Sequence, residues 1–184
     1  MEEVAMRGPI AAAACAVTAL LAGTGAAAQA QPETGMIVTH PDSPPFDYPP
    51  GEVCEFGTHV EFPVSDLTMT VWHDAAGRPV FGTETGALVL RATNTSTGTT
   101  IERDISGSGT LLYPTLDPAD FVLSGNDWSA GIHGGDQPAA AQHHWYLAHG
   151  FMSVRVTSTA GHTTRQLLAL VGPYEDLCTT LSGR

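Results

Sequence analysis

The chain has no lysine; all seven of its basic residues are arginine. That absence removes the Schiff-base amine and the phosphate-binding P-loop, both of which need the ammonium. Positive charge is scarce as well. Nineteen acidic residues stand against seven basic ones, a net charge of −12. A chain this acidic is repelled by nucleic acid and by anionic membranes. Nucleic-acid partners are excluded on that ground, and the plain reading of the charge is solubility. The nucleophile and metal motifs are missing too. There is no G-x-S-x-G elbow, since Ser108 between Gly107 and Gly109 is turn chemistry. Neither H-E-x-x-H nor C-x-x-C occurs, nor a Gly-rich dinucleotide loop. No internal repeat is visible, and helical periodicity is confined to one short C-terminal stretch.

What is present begins with an N-terminal export signal. Arg7 precedes a largely apolar run over residues 10–21, and small residues follow, ending in Ala28-Gln29-Ala30. A positive residue, a short apolar core and an A-x-A site make residues 1–30 a secretory signal peptide, cleaved after Ala30. Glu2 and Glu3 oppose the usual positive start, so Met6 competes with Met1 as the true initiator. An uncleaved anchor is disfavoured, because the core falls short of the roughly 20 residues a span needs. Cys15 lies inside that core and not at its end, which disfavours a lipoprotein. The mature chain, residues 31–184, is expected to be secreted and extracellular, a monomer with no membrane attachment. It keeps 17 acidic and 6 basic residues, and its length suits one domain.

Two cysteines remain after cleavage, Cys54 and Cys178. An isolated pair in an exported chain is most simply a disulfide. Closing so long a loop stabilises by about 4–5 kcal/mol in the chain-entropy model. The rival reading, a reactive free thiol, lacks a flanking basic residue at either site.

Residues 31–50 form a Pro-rich leader, with five prolines between positions 41 and 50. Such a segment is extended and cannot join the centre of a sheet. From residue 51 to residue 184 the pattern is that of a single β-domain. Phe56, Val60, Phe62 and Val64 alternate with polar residues, and Leu67, Met69 and Val71 repeat the pattern. Short strands are also expected around Val80-Phe81, 88–92, 99–106, 110–113, 121–123, 145–157 and 163–171. Asn94-Thr95-Ser96-Thr97-Gly98 is a hairpin turn. Residues 124–142, rich in Gly, Ala, Asp and Pro, read as the longest loop. Gly172-Pro173 ends the last strand, and residues 174–181 read as a closing helix. The expected fold is all-β, an antiparallel barrel or sandwich of eight to nine short strands.

No catalytic residue, cofactor site or metal site emerges, although several side chains stand out. His133, His143, His144 and His149 fall in or beside the long loop, with Asp127 and Asp136 nearby. Imidazoles and carboxylates bind zinc or copper when loops converge them. The plainer reading is a solvated or pH-responsive loop. Trp72, Trp128, Trp145 and Tyr146 line a cavity or simply fill a β-core. Arg103 and Arg155 share parity with Ile101 and Phe151, and a charge on an apolar face needs a partner or an exposed strand end. Asp117 with Asp120, and Glu102 with Asp104, are close in sequence without forming an acid–base pair.

Val53-Cys54-Glu55-Phe56, the Thr93 to Gly98 turn and Asp176-Leu177-Cys178-Thr179-Thr180-Leu181 carry a resemblance. The chain resembles small secreted proteins of high-GC Gram-positive bacteria with an early cysteine, a central N-x-S-T-G-like hairpin and a terminal D-L-C-x-x-L. The group lends no catalytic residues. In outline it is similar to lipocalin-like and allene-oxide-cyclase-like barrels, a likeness of fold alone. The expectation is a secreted, non-enzymatic domain that binds a small apolar molecule or an extracellular partner. Two alternatives stand beside it: a cyclase- or hydrolase-type enzyme with a barrel cavity, and an inhibitor presenting residues 126–142.

Overall fold

A computed structural model describes residues 35–183; the signal peptide expected over residues 1–30 lies outside them. The strands are β1 (Gly35–Thr39), β2 (Phe46–Tyr48), β3 (Thr58–His73), β4 (Pro79–Asn94), β5 (Thr100–Asp104) and β6 (Ser108–Leu112). They continue with β7 (Asp120–Ile132), β8 (His144–Thr159), β9 (His162–Val171) and β10 (Tyr174–Asp176), before a helix, α1 (Leu177–Ser182). Every pairing between these strands is antiparallel. The order is β1-β3-β4-β6-β7-β8-β10, with β2 on β3, β5 on β4 and β9 on β8. The domain is therefore all-β with a short C-terminal helix, and its sheet does not close into a ring.

Two long hairpins, β3–β4 and β7–β8, organise this sheet. The sequence pattern divides β3 between Val64 and Leu67, because the alternation changes parity there; the structure runs one strand through both halves. The chain carries a register shift between Glu61 and Val64. Pro63 has no N–H to donate, and a bulge is where a ladder tolerates that loss. At the β3–β4 turn, Asp74 Oδ1 accepts from the Ala76 and Arg78 amides at 2.8 and 2.9 Å. This is the local closure that makes Asp a turn residue.

The long loop expected over residues 124–142 is corrected. Its first half, to Ile132, belongs to β7 and pairs with β8 throughout. Gly125 and Gly131 mask the strand signal because they hold no apolar side chain, yet Gly125 is required by packing. A Cβ there would strike the Ser108 carbonyl of β6. A register shift at Asp127, whose φ is 51°, absorbs the extra residue. Within the extended leader, residues 35–48 add β1 and β2 along the outer edge of β3. Pro41, Pro44 and Pro45 fall between these two strands, where no ladder bond is lost.

The main core lies between the inner halves of the two hairpins. Val60, Leu90 and Ala92 meet Trp145 and Leu147, with Val53, Leu177 and Leu181 closing the end. Cys54 and Cys178 form the expected disulfide, with Cα atoms 5.4 Å apart, within the ordinary span of such a bridge. The helix that carries Cys178 is shorter than the pattern suggests. Residues 174–176 pair with Tyr146, Leu147 and Ala148 as β10 instead. Asp176 then starts the helix by accepting from the Cys178 amide at 3.1 Å, an N-cap. Beside this segment Arg103 of β5 donates to both Glu175 oxygens at 2.8 and 2.9 Å.

Candidate functional site

A groove of about 460 Å³ opens where the end of β7, the loop after it and the start of β9 meet the segment 47–52. Four positions define it: Tyr48, Glu52, His133 and Arg165. Tyr48 is brought in by β2, the last pairing of the Pro-rich leader. Glu52 is fixed by its own backbone, since its carbonyl accepts from the Gly134 amide at 3.2 Å. His133 follows the last residue of β7, and Arg165 lies in β9.

Asp136 holds these pieces together. It is only 3% exposed. Its Oδ2 accepts from the His133 amide and its Oδ1 from the Arg165 amide, both at 2.7 Å. Its carbonyl accepts from Gln142 Nε2 at 2.6 Å. A buried carboxylate needs donors of this kind, and here they come from two separate segments. Gln137 extends the link by exchanging backbone bonds with Arg165 and Leu167 at 2.9 and 2.7 Å. The loop is thereby tied to the outer edge of β9.

The imidazole of His133 stands between opposite charges. Arg165 Nη1 donates a short hydrogen bond to its Nδ1. An Nδ1 that accepts leaves the proton on Nε2 of a neutral ring. That Nε2 is buried, has no hydrogen-bond partner among the described residues, and lies 3.5 Å from Glu52 Oε1. Burial depresses the His133 pKa, and the Arg165 charge depresses it further against the opposing carboxylates of Asp136 and Glu52. Burial pushes the Tyr48 hydroxyl up, with the Arg165 charge pulling the other way. At neutral pH His133 is therefore an uncharged spacer and donor.

Arg165 is the unusual member. Five arginines lie among the described residues, and four of them are ion-paired: Arg78 with Asp74, Arg91 with Glu102, Arg103 with Glu175, and Arg155 with Asp120. Arg165 has no carboxylate within ion-pair reach among the described residues, and only its Nη1 is engaged. Arg165 lines both the groove and an adjoining cleft of about 290 Å³. The Glu52 carboxylate faces it across the His133 ring and accepts no hydrogen bond from the described residues.

The other side chains singled out in the sequence disperse. His144 Nδ1 contacts Asp176 at 2.7 Å and His149 Nδ1 contacts Asp127 at 3.7 Å. His143 is exposed beside Gly134. Each histidine thus faces a different neighbour, and no group of three or more possible ligands among the described residues is placed to hold a metal ion. Trp145 is core, edge-on to Tyr48 at 5.6 Å. Tyr146 stacks on His144, and Trp72 lies against Phe81. Trp128 lines a separate apolar cavity. Arg103 and Arg155 are partnered rather than exposed strand ends, each bidentate to one carboxylate. Asp117 caps a turn through the Ala119 amide while Asp120 pairs with Arg155, so the two acids do separate work. Glu102 pairs with Arg91, and Asp104 accepts from the Ser106 amide.

Sequence reasoning found His133 and Asp136 but missed Arg165, Glu52 and Tyr48. The available signal was Arg165 itself, one of few cations in an acidic chain, set in the middle of a strand. Comparison with known protein families, with curated proteins and with solved structures found no match.

Proposed function

We propose that the chain is an extracellular, non-enzymatic binding domain whose groove takes a small zwitterion of the amino-acid or peptide-end type. The observation that carries this reading is Arg165, a guanidinium held in place without a carboxylate in a protein rich in carboxylates. A guanidinium fork is built for a carboxylate. Glu52 supplies the complementary charge one imidazole width away, where an ammonium would sit. The domain's net negative charge turns simple anions away, whereas a zwitterion carries no net charge to repel. A volume of about 460 Å³ falls in the range of small-molecule sites. The export signal and the disulfide support an extracellular setting.

Titration calorimetry with glycylglycine, acetate and ethylamine tests the proposal. The dipeptide is expected to bind at least tenfold more tightly than either single-charge probe, and Arg165→Gln and Glu52→Gln are each expected to weaken it at least tenfold. Equal affinity for all three, or a dipeptide affinity untouched by both substitutions, overturns it.

A further inference from the structure

A second cavity, of about 190 Å³, lies where the middles of the two hairpins pass β6. Its walls are Leu67, Leu88, Ile105, Leu123 and Trp128, and one acid, Glu84, stands among them. The register explains why the acid is there. Glu84 of β4 sits directly between Met69 of β3 and Gly109 of β6. Directly opposed residues share a face of a sheet, and two places along β4 the next residue on this face, Gly82, is flanked by the core residues Val71 and Leu111. The carboxylate thus projects from the apolar side. Glycines make the space: Gly109 lies beside it and Gly125 one strand further on. A Cβ on Gly109 would come within 2.8 Å of Leu123 Cδ1, so the narrow wall cannot be filled there without displacing the leucine.

Glu84 has no ion-pair or hydrogen-bond partner among the described residues, whereas Glu102, Glu175 and Asp120 each pair with an arginine. Burial raises its pKa, the signature of a carboxyl short of solvation. Its charge also reaches Tyr113, whose pKa is raised first by burial and then by Glu84. A lone carboxylate on apolar walls is costly unless a cation completes it. Apart from Glu84 and the serines Ser108 and Ser129 the lining is mainly apolar, which favours a cation that is itself largely apolar apart from its charge. Trp128 adds an aromatic ring, which attracts cations. Exposed Ser108 stands at the mouth. The space suits one ring, since a cavity of about 150 Å³ accepts benzene.

We propose that this cavity is a second binding site, for a small apolar amine whose ammonium meets Glu84. The site is independent of the groove, shares no lining residue with it, and stands if the zwitterion reading falls. The acidic field of the whole domain favours approach of such a cation.

The test is an amide and indole NMR titration of oxidised residues 31–184 with benzylamine and with its neutral near-isostere benzyl alcohol at neutral pH. Benzylamine is expected to move the Trp128 indole and Gly109 resonances and to bind at least tenfold more tightly than the alcohol. Glu84→Gln is expected to bring the two affinities within about twofold, and Leu88→Phe, which fills the cavity, to abolish both. Should Glu84→Gln not fold, the amine-to-alcohol ratio of the wild type is followed as pH falls and Glu84 is protonated; it is expected to shrink toward one, and a ratio that stays constant overturns the proposal. Equal affinities in the wild type, or benzylamine shifts confined to residues outside the cavity, overturn it as well.

Discussion

The latched end of the domain and the groove end are built from opposite materials. At the latch, Cys54–Cys178, the buried Leu177 and Leu181, and a core around Trp145 and Leu90 leave few polar groups to satisfy. At the groove, the loop after β7 is held almost wholly by one carboxylate, Asp136, and by backbone bonds to β9. The two ends meet in four residues. Gly51 donates to the Cys54 carbonyl at 2.8 Å, and Glu52 between them accepts from Gly134 across the groove. The difference teaches how the chain divides its labour. Apolar and covalent contacts supply stability, and polar contacts hold a site in shape without filling it. The disulfide serves both, because it anchors the segment that presents Glu52.

Removing the latch gives the largest expected effect. Cys54→Ala with Cys178→Ala should cost about 4–5 kcal/mol of unfolding free energy, measured by denaturant titration. It should also weaken dipeptide binding in whatever fraction stays folded, because Glu52 loses its anchor. Unchanged stability would break the division drawn here.

Asp136→Ala should cost about 3 kcal/mol, because it strands two buried backbone donors. Its signature is local, unlike that of the latch. Hydrogen exchange should accelerate at the His133 and Arg165 amides while the amides of Leu90 and Leu147 stay protected. Uniform acceleration across both ends would show that the loop and the core are one cooperative unit.

Asp120→Asn, at the first residue of β7, should cost about 1–2 kcal/mol, since its partner Arg155 is half-exposed. Arg155 first, with Thr115 and Thr157, holds the Asp120 carboxyl down to about 2. The unfolded chain therefore binds this proton at higher pH than the folded one. The stabilisation is present above the ordinary carboxylate range and is lost as pH falls toward about 2. Melting curves across that window should fall less steeply for Asp120→Asn than for the wild type; an equal slope would remove Asp120 from the account.

The latch was readable in the sequence because its signals are local and each names its own geometry. Pro173 as stop and a lone cysteine pair leave little freedom, although the helix begins at its Asp176 cap and not at residue 174. The antiparallel all-β class was readable from alternation for the same reason. The groove was not, because the strand that leads into it, β7, carries glycines where apolar side chains would mark the alternation. Gly125 and Gly131 satisfy close packing and so removed the alternation of β7, and the strand read as loop. Glu84 was hidden the same way. Gly82 and Gly86 on either side made residues 82–87 look like a gap between two strands, when they are the middle of one. Arg165 was legible as a cation but not as an unpaired one, since pairing depends on which strands neighbour β9, and no local pattern carries that. Proximity in sequence likewise does not show where the histidines go: the fold sends His133 to Asp136, His144 to Asp176 and His149 to Asp127.

The most direct test of the central claim is a single amide NMR titration of oxidised residues 31–184 with glycylglycine, following Glu52, His133 and Arg165 together with Cys178 as an internal reference. Saturable shifts at the three groove positions, absent at Cys178 and lost in Arg165→Gln, are the predicted result. A spectrum in which the groove resonances stay still while the dipeptide is raised to saturating concentration would contradict it.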